Sequence, residues 1–336
     1  MEYLTGVTKK EALEISEILA GDYEGRQIKV RGAIHTIRDM GEVAFIVLRK
    51  REGLVQCVYE EGKSKFALSD LKEADTVEVE GTYKSDERAP HGFELRLDQV
   101  KIFSEPAEAM PLQISKYKLN TSLEAKLNHR AVSLRNVRER AVFRIQEGIT
   151  RGFRDFLYSQ GFTEIHTPKL GAKSAEGGAN LFKLEYFHRP AILQQSPQFY
   201  KQMAMAAGFE RIFETGPVFR AEKSYTNKHS TEFSGFDLEF SYITSYKDVM
   251  KMEEELLTAG LQAVKDNYGD QIKEMFGQEV IVPTTPFPVV KLADLYKGLE
   301  EEFGYTVDES EKGDLTTEAE RLSYEWVKKH YGHEFL

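Results

Sequence analysis

The feature that most constrains the fold lies between Arg211 and Phe240, where two apolar runs flank a polar loop. Ile212, Phe213, Val218 and Phe219 form the first run, which ends in Phe219-Arg220-Ala221-Glu222. A polar loop follows from Lys223 to Glu232, and the chain returns through Phe233-Ser234-Gly235-Phe236-Asp237-Leu238-Glu239-Phe240. The order is strand, loop, strand. An arginine at the end of a buried strand can hold a phosphate through paired hydrogen bonds, and a loop carrying Lys228 and His229 can close over the rest of a triphosphate. The pattern suits a nucleotide.

The first hundred residues read differently. Five short strands are predicted at Gln27–His35, Val43–Arg49, Leu54–Tyr59, Thr76–Tyr83 and Phe93–Phe103, with a helix over Lys63–Leu71 between the third and fourth. Five strands with a helix in that place make an all-β OB-fold barrel, whose open face accepts single-stranded nucleic acid by stacking bases on aromatic side chains. Ser104-Glu105-Pro106 to Pro111, with a polar stretch to about Asn128, reads as a linker. The expected domains are therefore 1–104 (barrel), 105–130 (hinge) and 131–336. In the last, Val142, Ile145, Ile149, Phe153 and Phe156 fall on one helical stripe that stops at Gly161.

Composition agrees with two globular domains: 336 residues, of which 41% are hydrophobic, exceed one typical domain. No run approaches the length of a membrane span and Met1-Glu2-Tyr3-Leu4 opens no signal pattern, so a cytoplasmic location and no membrane partner are expected. The single cysteine, Cys57, rules out an intrachain disulfide and a multi-cysteine zinc site, and its apolar strand predicts an inert buried thiol. His330 and His333 have no ligand pattern around them, so no metal site is expected and both read as structural or solvated. A net charge of -10 argues against a general nucleic-acid coat without forbidding a local basic face for one RNA.

The segment FRAE, a loop, then TEFSGFDLEF is similar to motif 2 of class II aminoacyl-tRNA synthetases, in the form found in aspartyl-tRNA synthetases of the archaeal and eukaryotic type. The resemblance covers the whole chain. FTEIHTPKL (Phe162 to Leu170) resembles motif 1, with Pro168 where that family places its dimer-interface proline. EGGANLF (Glu176 to Phe182) resembles the loop that folds over the amino acid, and QSPQFYKQ (Gln195 to Gln202) is the most specific match. The resemblance implies an α+β class II catalytic domain, an antiparallel sheet flanked by helices, behind the barrel.

It also implies roles. Glu176, Ser196, Gln198 and Asp237 would surround the substrate's α-ammonium, and Lys201 would pair with the side-chain carboxylate of L-aspartate. The asparagine enzymes lack that lysine, so aspartate is favoured. Paired carboxylates would also suit a glycosidase, but no sugar-binding context accompanies them. For ATP, Arg220 would hold the α-phosphate, Glu222 would lie near the adenine edge, His229 would approach the γ-phosphate and Phe233 would stack under the base. Arg38, Phe45 and Gln56 match the anticodon-reading positions, although an aromatic in AFIVLR is more often core than ligand. His35 and Pro90 resemble forms that charge tRNA(Asn) as well as tRNA(Asp). ATP, Mg²⁺, tRNA and a second copy of the chain are thus the expected partners.

The sequence departs from the family at its C-terminal end. Motif 3, a glycine-rich element with a phosphate-binding arginine, is not found, nor are the acidic residue and serine that hold Mg²⁺ or the arginine that helps Lys201. The expectation is a catalytic domain incomplete at Leu336, with Mg²⁺ ligands beyond it and doubtful activity of the 336 residues alone. Two alternatives accompany the leading reading: a tRNA-binding or dimerising fragment without catalysis, and a synthetase-like paralogue that makes free asparagine. The barrel argues against the paralogue, because an anticodon reader serves no purpose without tRNA.

Overall fold

Alternation of buried and exposed side chains along five segments closes a barrel at the N-terminal end. The computed structural model describes residues 11–174, 180–222, 230–309 and 312–336, and the chain divides into two units, Met1–Phe143 and Arg144–Leu336. In the first, β1 (Gln27–Asp39), β2 (Val43–Arg49), β3 (Leu54–Glu60), β4 (Thr76–Ser85) and β5 (Phe93–Ser104) follow one another around the barrel in the order β1-β2-β3-β5-β4. All ladders are antiparallel except β3 with β5. Inward positions such as Ile46, Leu48, Val55, Phe93 and Leu95 are fully buried, and helix α1 (Ile15–Ala20) adds Ile15 and Ile18 to the same core. Cys57 is among them. Burial and the charge of Glu94 push its thiol pKa well up, which keeps it protonated and unreactive.

The helix predicted over Lys63–Leu71 does not form; only the turn Leu68–Asp70 is helical, as a single 3₁₀ turn. The reason is competition from β5. The Ser64 hydroxyl donates to the Leu97 carbonyl at 2.9 Å and the Lys65 amide donates to the Asp98 carbonyl at 2.9 Å, so the segment is tied to the strand instead of to itself. Phe66 packs its ring 5.3 Å from that of Tyr59.

β1 slips by one residue against β2: Ile34 lies opposite Leu48 and Thr36 opposite Val47. His35 is the extra residue, a bulge in β1 that sets it beside Arg49 and Arg140, and it is 3% exposed. Its Nδ1 is buried without a partner. Burial, with the charges of Arg49 and Arg140, holds the imidazole pKa down to about 4. The stretch expected to be a hinge is packed: Ile114 is 1% exposed, and buried Asn136 donates to the carbonyls of Ile114 and Lys116 at 3.0 and 2.7 Å. The Asn136 side-chain oxygen accepts from the amides of Arg138 and Glu139, the capping arrangement for the helix that follows. Short helices α2 (Leu123–Asn128) and α3 (Arg130–Ser133) precede it.

Helix α4 (Val137–Ser159) ends as expected near Gly161, which has φ 79°. Of the predicted stripe, Phe153 and Phe156 pack against the core and Ile149 lies against Gly260. Val142 is 53% exposed, and the closest packing is made by glycines between the apolar positions. Gly148 and Gly152 face α6 (Tyr246–Phe276), where a Cβ on Gly152 would stand 2.6 Å from Ala263 Cβ and 3.0 Å from Gly260 Cα. Small residues let the two helices approach, and Phe153 of α4 packs on Gly260.

Two small sheets accompany these helices. One has the order β11-β10-β6, from β6 (Thr163–Glu164), β10 (Arg211–Phe219) and β11 (Glu232–Phe240); the other has the order β7-β9-β8, from β7 (Leu170–Gly171), β8 (Lys183–Tyr186) and β9 (Arg189–Leu193). β10 and β11 are antiparallel in unbroken register from Arg211 opposite Phe240 to Phe219 opposite Glu232. Phe236, Leu238 and Phe240 pack with Leu157, Phe162, Phe213, Met252 and Leu256. Helix α5 (Gln198–Ala206) sits against β10 and β11. Helices α7 (Leu292–Phe303) and α8 (Thr317–Tyr331) make a separate core around Leu299 and Trp326.

Two measurements check this fold. Alanine ordinarily gains about 1 kcal/mol over glycine inside a helix, but Gly152→Ala should destabilise by roughly 1–3 kcal/mol because the new methyl meets backbone that cannot move aside. A urea midpoint equal to or above that of the parent would refute the close α4–α6 approach. His35 supplies a pH signature: its folded pKa is below its unfolded value, so its stabilising share is complete above pH about 6.5 and is lost as pH falls toward 4, by at most about 3 kcal/mol. His35→Asn should flatten that part of the stability profile.

Candidate functional site

The period-two alternation of β11 divides its side chains between two environments. Phe236, Leu238 and Phe240 belong to the core, so Phe233, Gly235, Asp237 and Glu239 share the other face. On β10 the residues opposite them are Val218, Gly216, Glu214 and Ile212. The break at Ser196-Pro197 starts α5, and the first turn of that helix carries Lys201, whose amide bonds the Pro197 carbonyl at 3.0 Å. Lys201 is the residue of α5 that is buried, at 6% exposure.

The Lys201 ammonium forms ion pairs with Asp237 and, at 3.2 Å, with Glu239. Burial works against its charge, yet the hydrogen bond to Asp237 and the negative charges of Asp237 and Glu239 outweigh burial and hold its pKa above the ordinary lysine value. The lysine is therefore a fixed cation at the floor of this face. Gln198 is half-buried one turn earlier, and Ser196, 6% exposed, accepts from the Gln198 amide at 3.2 Å. Neighbouring Gln194 and Gln195 are buried too; the Gln194 backbone links Lys169 to Phe219, and Gln195 accepts from the Ser174 hydroxyl at 2.9 Å.

At the far end of the same strand pair, the Arg220 guanidinium carbon lies 5.6 Å from the centre of the Phe233 ring. The residue proposed for a phosphate and the one proposed for a base are thus adjacent, within the span of one nucleotide. Among the described residues Arg220 Nε is buried without a partner, a donor left for an anion, and its backbone amide is fixed by the Thr231 carbonyl at 3.0 Å. Glu222 is half-buried just beyond. Glu176 and His229 lie outside the described residues. Pro168 is exposed.

Two carboxylates that the motifs did not single out are built into this region. Glu239 is two residues beyond Asp237, and carrying the alternation one step further along β11 would have placed it beside Lys201. Glu214, 3% exposed, accepts from the Thr167 amide and hydroxyl at 2.7 Å each and pairs with Lys169 at 2.9 Å. It stands opposite Asp237 and anchors the segment between β6 and β7 that carries Pro168.

The first unit presents a second surface. Arg38 stands opposite Phe45 in the β1–β2 ladder, its guanidinium carbon 5.9 Å from the ring centre. Phe45 lies opposite Val58, and Val47 opposite Gln56, so all three predicted residues share the outer face and Phe45 is no part of the barrel core. Gln56 donates to Glu94 at 3.2 Å, and Glu94, 2% exposed, pairs with Arg96 at 2.7 Å. Glu94 fixes the orientation of the Gln56 amide, a role no sequence motif signalled. His333 bridges the Thr284 carbonyl and the backbone of residue 335, and His330 pairs with Glu302. Among the described residues no three His, Cys, Asp or Glu side chains come together as a metal site, and none of the helices described is long and apolar enough to cross a membrane.

Comparison with known proteins meets this geometry. The sequence profile of the class II tRNA synthetases (D, K and N) matches residues 122–336, and that of the OB-fold nucleic acid binding domain matches residues 28–103. The chain is 38% identical to the aspartate–tRNA(Asp/Asn) ligase of Aeropyrum pernix, over 92% of its own length and 70% of that protein. It is 37% identical to the ligase of the same name from Deinococcus radiodurans, over 94% and 70%. Among solved structures, a putative aspartyl-tRNA synthetase from Leishmania major superposes with TM-score 0.80 at 27% identity, covering 99% of this chain and 75% of that one. The asparaginyl-tRNA synthetase of Pyrococcus horikoshii, bound to asparaginyl-adenylate, gives TM-score 0.78 at 29% identity over 90% and 69%. A profile spanning the whole of the second unit, joined to an OB-fold module and to relatives alike over nine-tenths of the sequence, leaves one assignment: the chain belongs to the class II aminoacyl-tRNA synthetases of the D, K and N group.

Proposed function

We propose that this chain is an aspartate–tRNA ligase, which activates L-aspartate with ATP and transfers it to the 3′ end of tRNA(Asp), with tRNA(Asn) as a second substrate. The observation that carries the choice of amino acid is the buried Lys201 ammonium on the face it shares with Asp237 and Glu239. An anionic side chain can replace one of those carboxylates on the lysine, whereas the neutral amide of asparagine leaves a desolvated cation underpaired. Breaking such a buried pair costs about 3–5 kcal/mol, more than a hundredfold in selectivity.

In the first step the substrate α-carboxylate attacks the α-phosphorus of ATP: a carboxyl oxygen–phosphorus bond forms, the bond to the bridging oxygen breaks and pyrophosphate leaves. No base is needed, because the carboxylate is already ionised. Asp237, with Ser196, Gln198 and Glu176, would bind the α-ammonium, and Lys201 would bind the side-chain carboxylate. Arg220 would meet the α-phosphate and neutralise charge gathering on its oxygens, with Phe233 under the adenine, Glu222 at its edge and His229 toward the γ-phosphate. In the second step a ribose hydroxyl at the tRNA 3′ end attacks the carbonyl carbon and AMP leaves. The family uses Mg²⁺ with ATP, and the described residues bring together no set of ligands for it. Arg38, Phe45 and Gln56 would read the anticodon. A homodimer with Pro168 at its interface and a cytoplasmic setting complete the reading.

Lys201→Met, in the protein as its gene encodes it, should lower aspartate-dependent ATP–pyrophosphate exchange at least a hundredfold while the circular dichroism spectrum stays that of the parent. Exchange within tenfold of the parent would show that the pocket is misassigned. Phe45→Ala should weaken binding of the anticodon stem-loop by roughly tenfold, the value of one stacked base. Stem-loops with C or U at the third anticodon position separate the two tRNAs: similar affinity supports tRNA(Asn) as a substrate, and strong preference for C removes it.

A further inference from the structure

The first unit concentrates positive charge where the anticodon-reading residues do not account for it. On β2, Phe45, Val47 and Arg49 alternate onto one face, so the stripe that begins at the stacking residue ends at Arg49, four residues or about 13 Å along the strand. Arg140 reaches the same place from the first turns of α4, where its guanidinium donates to the Lys50 carbonyl at 3.0 Å. Arg135 comes from the turn before α4, with the Met110 sulfur 3.7 Å from its Nη1. Burial, and after it the charges of Arg135 and Arg140, bring the Arg49 pKa down to about 10. Lys50 beside it is committed to Glu14 at 2.9 Å. Arg49 Nη1 is buried without a partner, so turning that group toward an incoming anion breaks no hydrogen bond there.

We infer that Arg49, Arg135 and Arg140 form a subsite for one backbone phosphate of the tRNA, at the end of the anticodon-reading face. The inference rests on the proposed tRNA substrate and adds where its backbone is gripped. Three guanidiniums brought together cost energy in the free protein that a phosphodiester between them returns. A separation of about 13 Å from Phe45 keeps the phosphate within the 4–16 nucleotides that an OB fold engages. Phosphate contacts set register without reading sequence, so the subsite would fix the strand while Arg38, Phe45 and Gln56 read bases.

The test is tRNA(Asp) binding across a salt series for the full chain and for Arg49→Gln, Arg135→Gln and Arg135→Lys. Loss of one phosphate contact should weaken binding roughly tenfold at low salt and reduce the slope of log affinity against log salt by about 0.7–0.9. Discrimination against an altered anticodon should be unchanged, and Arg135→Lys should restore most of the slope. Among the described residues Arg135 bonds Met110 and Val132 and none of the barrel strands, so its variants keep the test valid if Arg49→Gln fails to fold. An unchanged slope in the Arg135→Gln protein, with the parent binding normally, overturns the phosphate subsite alone. Loss of anticodon discrimination overturns it in favour of base reading. If inorganic phosphate raises the melting temperature of the parent but not of Arg135→Gln, and the tRNA slope does not change, the site takes free anions and the inference fails. A parent that binds no tRNA removes the substrate reading as well.

Discussion

Strand β11 has to satisfy two environments at once, and most of the second unit follows from how it does so. Phe236, Leu238 and Phe240 bury against α4 and α6, which fixes the register and leaves Phe233, Asp237 and Glu239 no choice of face. A slip of one residue would bury two carboxylates in the aromatic core and expose three apolar side chains. The same constraint that stabilises the sheet therefore aligns the charged groups that meet Lys201.

The lysine completes the arrangement from a different element. Its burial would be unfavourable alone, and Asp237 and Glu239 would repel one another on one strand face without it. Each side of the triad makes the other tolerable, and a carboxylate ligand can enter by exchange rather than by creating a new buried charge. This explains why a residue type usually left in solvent is held at 6% exposure in a helix whose other side chains are more open.

Much of this was legible in the sequence, for identifiable reasons. The five barrel strands are apolar-rich runs between turns rich in glycine and charge, so the pattern fixes their existence and most of their ends; β1 alone runs well past its expected end, beyond the bulge at His35. The segment at Lys63 misleads because Phe66, Leu68 and Leu71 carry a helix-like spacing, while the bonds that decide its shape come from Leu97 and Asp98, some thirty residues away. The helix stripe at Val142 misleads in another way: hydrophobic spacing marks apolar residues, but the tightest contact of α4 is made by Gly148 and Gly152, which apolar periodicity does not register. Lys201 and Asp237 stood in recognisable motifs. Glu239 lay in the same motif as Asp237 without being singled out, and Glu214 and Glu94 lay in none, since each gains its meaning from a partner supplied by another strand or helix.

The charge of the chain also takes on a sense once these placements are known. At -10 the protein repels polyanions at long range, so non-specific RNA finds little attraction over most of its surface. Against that background stand Arg38 above Phe45 and, at the other end of β2, Arg49 with Arg135 and Arg140. An RNA that cannot place a base on Phe45 gains only part of that local attraction and meets the general repulsion in full. On the proposed reading, aromatic stacking and phosphate contacts would reinforce one another only for a strand in the correct register, and the acidity of the remainder would sharpen that selection.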